Sequence, residues 1–361
     1  MSEISHDPAR RCLPLSEWPE SDRKAWAEAT REGTLLTDAG LATTWRQGTR
    51  DRVIQSYGRF LTYLDGQGLL EETSRPQDRV DRDTVVAWVE FLKAQGCASV
   101  TVHGYVLNVE RALSVMAPDV DWSWLKTLAG RLHARARPVR NKRLKVVPAQ
   151  ELFDLGLRLI ESALVSDLLN PKRRAVMVRD GVMIIFLIMR PLRLRSFAGL
   201  EIGRHLQRSE SGVTLSLGPD DTKNRRPYES ELAATLTNLL DSYLRDYRPI
   251  LLGNHDSNRL WIAWTGDAMT DGSIASRICK ITARELGRPI NPHLFRDCAA
   301  TTIAIDDPDH VRIIHALLGH SGMKASERHY NQAKGIEAGR QYQSMIQGLR
   351  RNIMKRNAGR R

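Results

Sequence analysis

The sequence predicts a mainly α-helical chain with a small β-sheet, arranged as a helical domain followed by a larger α+β domain. Three observations predict it. Four amphipathic stretches follow one another within some ninety residues after Thr49. A basic segment without acids then interrupts the pattern, and a short β region with a turn lies among the helices beyond it. The expected boundaries are an N-terminal extension over 1–43, a helical domain over 44–134, a basic linker over 135–147 and the larger domain over 148–361.

The first forty or so residues mix charge with Trp18 and Trp26 and show no long period, so at most one short helix is expected there. In RDRVIQSYGRFLTYLDGQG, Val53, Ile54, Tyr57, Phe60, Leu61 and Leu64 recur at spacings of three and four and stop at Gly66. DRDTVVAWVEFLKAQG repeats the design, with Asp83 as candidate cap and Gly96 as stop. A third helix places Val102, Tyr105, Val106, Val109, Leu113 and Met116 on one face and ends at Pro118. A fourth runs from Trp122 to about His133. The segment RLHARARPVRNKRLKVVP carries Arg131, Arg135, Arg137, Arg140, Lys142, Arg143 and Lys145 with no acid among them, and Pro138 interrupts any helix. A like-charged tether repels itself unless something neutralises it, so these seven are candidate phosphate contacts.

Beyond Pro148 the pattern is helical as far as Arg190. A strand is expected at Val213 to Leu217, a turn at GPDDTKN, and a returning segment from Arg225 to about Ser230. Helices then resume nearly to the end. The apolar run VMIIFLIM, Val182 to Met189, has eight residues, far short of the roughly 20 that span a bilayer, and reads as a buried helix.

Composition narrows the function. The 361 residues carry a formal charge of +12 and a pI near 9.8, which points to an acidic partner, with nucleic acid the first candidate and an anionic membrane surface the second. Cys12, Cys97, Cys279 and Cys298 never form a C-x-x-C pair, which suggests neither a zinc site nor a disulfide framework. The polar start MSEISHDPARRC does not read as a signal peptide, and a cytoplasmic, nucleoid-associated protein is expected.

The chemistry is carried by the run HALLGHSGMKASERHY near the C-terminus, which places Tyr330 ten residues after His320. A phenol ionises only near pH 10 and needs activation. Attack on a phosphodiester takes a group to receive its proton, cations to hold the phosphoryl charge, and an acid for the leaving oxygen. NPHLFRD puts His293 and Arg296 three residues apart with Pro292 at the helix start. RPLRLRSFAGL carries Arg193, and DDTKNRRP carries Lys223.

In order and spacing these stretches resemble the tyrosine recombinase, or phage integrase, family. Its signature is an arginine in a G-L-R-x-x-E-like element, a β-hairpin lysine, H-x-x-R, L-G-H and a tyrosine nine or ten residues on. The likeness covers roughly residues 44 to 335. It departs at Ser196, where the family usually has an acid, and at Pro191 and Leu192, which replace a glycine-containing turn; Arg195 competes with Arg193 for the arginine position, and Asp297 stands where histidine is frequent.

The resemblance implies a helical core-binding domain and an α+β catalytic domain that cuts and rejoins double-stranded DNA through a 3′-phosphotyrosyl link, without metal or cofactor. It assigns the nucleophile to Tyr330, phosphate contacts to Arg193, Arg296 and His320, proton removal to His293 and leaving-group protonation to Lys223. It further implies a homotetramer on two DNA sites, with accessory DNA-bending or directionality proteins as possible partners and no membrane, acting in integration, excision or transposition of a mobile element. The apolar stripe of Ile336, Tyr342, Met345, Ile346, Leu349 and Ile353 is expected to dock on a neighbouring protomer. Alternatives are a non-cleaving DNA-binding accessory protein on the same fold and a type IB topoisomerase-like DNA relaxation activity.

Overall fold

The computed structural model describes residues 11–137, 145–209 and 212–306. The chain divides into two compact units, Met1–Asn141 and Lys142–Arg361. Arg140, Lys142, Arg143, His320, Tyr330 and the C-terminal stripe, expected above to bind or cut DNA or to dock on a neighbour, lie outside the described residues.

In the first unit, α1 (Glu20–Thr30) follows a proline, which cannot donate a hydrogen bond and whose fixed φ suits a helix entry. The segment expected as an extension packs into the helical core. Trp18 and Trp26 are almost fully buried, and Trp18 meets Tyr57 edge to face with ring centroids 4.9 Å apart. A buried polar cluster fixes α1. The Tyr57 hydroxyl donates to Asp22 Oδ1 at 2.6 Å, and the Arg79 guanidinium, 1% exposed, pairs with the same carboxylate. Burial, then the Asp22 charge, pushes the Tyr57 phenol well above its ordinary value, so it stays a donor.

Helix α2 (Gln47–Gly66) buries Val53, Tyr57, Phe60, Leu61 and Leu64, as its period requires. The chain turns at Gly68 rather than at Gly66. Gly68 takes φ of 68°, which lets the Leu69 N–H reach the Leu64 carbonyl at 2.8 Å. Helix α3 (Arg82–Ala94) is capped by Asp81, whose side chain accepts the Thr84 N–H at 2.8 Å. Asp83 lies inside its first turn, so the cap sits two residues earlier than expected. Helices α4 (Ser99–Met116) and α5 (Ser123–Arg135) complete the core around Trp88, Val106 and Leu113. Burial of these side chains contributes about 1.5–3 kcal/mol each.

The second unit is built on α6 (Ala149–Val165) and α7 (Pro171–Met189). They cross at Gly156 and Gly181. A Cβ on Gly181 would fall 2.6 Å from the Gly156 carbonyl oxygen and 2.6 Å from Ile160 Cγ1, so the close approach needs glycine there. The predicted apolar run is fully inside α7, with Val182 to Leu187 unexposed. A short α8 (Leu194–Ala198) leads to an antiparallel sheet of order β1-β2-β3: β1 (Leu206–Ser209), β2 (Gly212–Leu217) and β3 (Tyr228–Glu231). The first strand carries no apolar alternation and was not expected; Leu206 pairs with Leu215 while the other three residues are exposed.

Helices α9 (Ala234–Ser242), α10 (Arg248–Leu252), α11 (Asp271–Leu286) and α12 (Pro292–Asp306) follow, with a π-turn at Tyr243–Tyr247 between α9 and α10. Arg179 and Arg277 share the buried Asp180 carboxylate, both at 2.6 Å, which ties α7 to α11. The start of the unit is bound to α12. The Val147 N–H donates to Cys298 Sγ at 3.4 Å and the Ala149 N–H to Thr302 Oγ1 at 2.8 Å.

Candidate active site

Two elements bring the predicted arginines together. Helix α8 has five residues, too few to hold itself, and is fixed by Phe197. That ring is fully buried, 4.9 Å from the Trp261 ring and 5.5 Å from Phe186, and its carbonyl accepts the Trp261 indole N–H at 3.1 Å. Arg193 is the N-cap residue of this anchored turn, half-buried. Helix α12 starts where the Asn291 side chain accepts the Leu294 N–H at 3.1 Å, with Pro292 in the first turn as expected. This start sets His293 on the exposed side and turns Arg296 inward, where it is 5% exposed.

Arg296 donates from Nη1 to the Pro191 carbonyl, two residues before Arg193. Burial, and then the nearby Arg193 charge, lower its guanidinium to about 10. Burial alone lowers Arg193. Both stay cationic at neutral pH. Arg193 is near enough for its charge to act on Arg296, and planar guanidinium forks are of the shape that suits a phosphate.

Lys223 is exposed on the turn before β3. Its turn is joined to α8, because the Ser196 hydroxyl donates to the Asp221 carbonyl at 2.6 Å. Ser196 lies one turn after Arg193, so the two candidate elements are bonded to each other. The competing Arg195 is exposed and lines a different cavity of about 560 Å³ with Glu201, Arg204 and Asp271. Arg131, Arg135, Arg137 and Lys145 of the basic segment are all exposed. Ser99 Oγ donates to the Arg137 carbonyl at 3.2 Å and accepts its N–H at 3.0 Å, which pins the segment's start to α4.

Sequence reasoning missed Tyr228, which lies near Arg296 on β3, and the buried Cys298, whose thiol burial pushes up to about 11. A patterned motif marks neither. Among the described residues, no cluster of three or more histidine, cysteine, aspartate or glutamate side chains could hold a metal ion, and no helix is long and apolar enough to cross a membrane.

A helical unit followed by an α+β unit with a small antiparallel sheet is the fold seen in tyrosine recombinases. The solved structures agree. The XerH recombinase bound to palindromic difH substrate, in a post-cleavage complex, superposes with a TM-score of 0.55 at 14% identity over 91% of this chain and 99% of its own. The Tn1549 transposon integrase in complex with transposon right-end DNA gives 0.51 at 14% identity, over 82% and 94%. In sequence, the tyrosine recombinase XerD of Listeria innocua is 23% identical over 286 residues, 78% of this chain and 88% of that protein. XerD of Ralstonia nicotianae is 28% identical over 155 residues, 42% of this chain; the match spans about half of that relative, 47%. No family model matches the chain. The resemblance to the tyrosine recombinases is thus one of both fold and sequence.

Proposed function

We propose that the chain is a site-specific DNA recombinase that cuts and rejoins DNA through a 3′-phosphotyrosyl intermediate on Tyr330. The observation that carries the reading is the placing of Arg296, buried and lowered by burial and then by the Arg193 charge, on an element bonded to the stretch of chain that leads into Arg193, an arrangement that a bound phosphate would relieve. The kinship with XerD proteins and the likeness to the DNA-bound XerH and Tn1549 structures support it.

In this reading the Tyr330 oxygen attacks the scissile phosphorus while His293 assists removal of its proton. Arg193, Arg296 and His320 hold the non-bridging oxygens. The bond from phosphorus to the 5′-oxygen breaks, and Lys223 supplies that oxygen with a proton. A free 5′-hydroxyl of the partner strand then attacks the phosphotyrosine and restores the tyrosine. One phosphodiester is exchanged for one phosphoester of similar energy, so the balance calls for no nucleotide. The first unit and the basic segment, with Arg131, Arg135, Arg137, Arg140, Lys142, Arg143 and Lys145, would run along phosphates and make binding steeply salt-dependent. Four protomers on two DNA sites would exchange strands, with the C-terminal stripe docked between neighbours. The natural event in this reading is movement of a mobile element.

The test is covalent trapping on nicked duplexes drawn from DNA that the protein selects by binding, run in excess chelator. The wild-type chain is expected to form adducts and Tyr330→Phe to form none while binding DNA as before. Adducts that persist in Tyr330→Phe would move the nucleophile elsewhere and overturn the reading.

A further inference from the structure

Ser196 occupies the third position of α8, where a longer acidic side chain commonly reaches back to the helix start. Its hydroxyl is committed elsewhere, to the carbonyl of Asp221 at 2.6 Å. Asp221 is a hub. Its carboxylate accepts the Gly218 N–H at 3.0 Å and Arg204 Nη2 at 3.1 Å, and lies 3.3 Å from Nε2 of the buried His205. Because His205 Nδ1 accepts the Glu201 N–H at 2.9 Å, the imidazole proton sits on the nitrogen that faces Asp221.

The turn beyond is closed on itself. Buried Thr222 donates its hydroxyl to the Arg226 carbonyl at 2.7 Å, and its carbonyl accepts the Arg225 N–H at 3.3 Å. Arg225 takes φ of 53°, in the left-handed region that costs a non-glycine residue about 1 kcal/mol or more. The residues after Asp221 are therefore held in a strained turn closed by these bonds, and Lys223 is one of the side chains it exposes, with Arg225 and Arg226.

We infer that Ser196 is the positioning residue for Lys223: its hydroxyl fixes the root of the turn and so the lysine's place beside the Arg193 end of α8. The inference rests on the recombinase reading above. A proton donor works only within hydrogen-bond reach of the leaving oxygen, and a displacement of about 1 Å costs up to roughly a hundredfold. Ser196→Ala removes the tie and leaves Lys223 chemically intact.

The experiment compares trapping rates on two nicked substrates, one with the ordinary 5′-bridging oxygen and one with sulfur in its place. A thiolate leaves without a proton donor, because a thiol is a far stronger acid than an alcohol. Ser196→Ala is expected to slow cleavage of the oxygen substrate about tenfold or more and to leave the sulfur substrate within about twofold of wild type. Ser196→Thr, which keeps the hydroxyl, should restore the oxygen rate. Lys223→Ala should show the same selectivity, and the double variant should be no slower than Lys223→Ala alone. Equal slowing on both substrates, or no slowing on either, would overturn the assignment. Wild-type protein that forms no adduct on either substrate would instead remove the recombinase reading, and the role of Ser196 with it.

Discussion

Replacing Arg296 with methionine is expected to stabilise the protein while abolishing adduct formation. The guanidinium is lowered from its ordinary 12.5 to about 10, first by burial and then by Arg193. At roughly 1.4 kcal/mol per unit, holding the charge beside Arg193 under burial costs about 3 kcal/mol. For a cation lowered on folding, the unfolded chain binds more protons between the two values, so stability recovers only as pH rises through about 10. At neutral pH the whole cost is in force. Methionine matches the apolar stem and carries no charge, but it forfeits the charged hydrogen bond to the Pro191 carbonyl, worth about 1.5–3 kcal/mol. The net gain is at most about 1.5 kcal/mol, or a melting temperature raised by up to roughly 6 °C for a unit of this size.

Scanning calorimetry on the full chain at pH 7 and low salt measures it directly. Inorganic phosphate should raise the wild-type melting temperature and leave Arg296→Met nearly where it was, since the site would then lack one of its two forks. A variant that melted several degrees lower, yet responded to phosphate as the wild type does, would refute the electrostatic account. The pattern sought is a side chain kept for function against stability.

Two further substitutions probe the scaffold. Gly181→Ala gains about 1 kcal/mol of helix propensity but drives a methyl to within 2.6 Å of a backbone oxygen, so overpacking should win and lower the urea midpoint by the equivalent of about 1–2 kcal/mol; a raised midpoint would mean that α6 and α7 part without cost. Asp22→Asn keeps a hydrogen-bond acceptor for Tyr57 but leaves the buried Arg79 charge without its counter-ion, at about 3–5 kcal/mol. Hydrogen exchange should then quicken in peptides of the first unit and stay unchanged around α6 and α7; first-unit exchange in Asp22→Asn equal to the wild type's would sink it.

What was legible in the sequence follows its periodicity. The apolar stripes of α2, α4 and α5 could be read because each keeps a helical spacing over several turns, and the start of α12 because Asn291-Pro292 is a strong entry signal. Trp18 and Trp26 gave no such stripe. They act as two large anchors on an eleven-residue helix, so a segment read as an extension is part of a core. Asp81 and Asp83 are both plausible caps by type, and only the backbone at Asp81, extended and outside the helix, separates them. The arginine, lysine and H-x-x-R stretches were identifiable by order. Their mutual arrangement was not, because the contacts that make it, Arg296 to Pro191 and Ser196 to Asp221, join distant segments through carbonyls that any residue provides.

The bonds from Val147 to Cys298 and from Ala149 to Thr302 tie the start of the second unit to α12 as well as to α6. Both contact points on α12 lie within two turns after Arg296, so a shift of the chain at Val147 and Ala149 would reach the helix that carries this arginine.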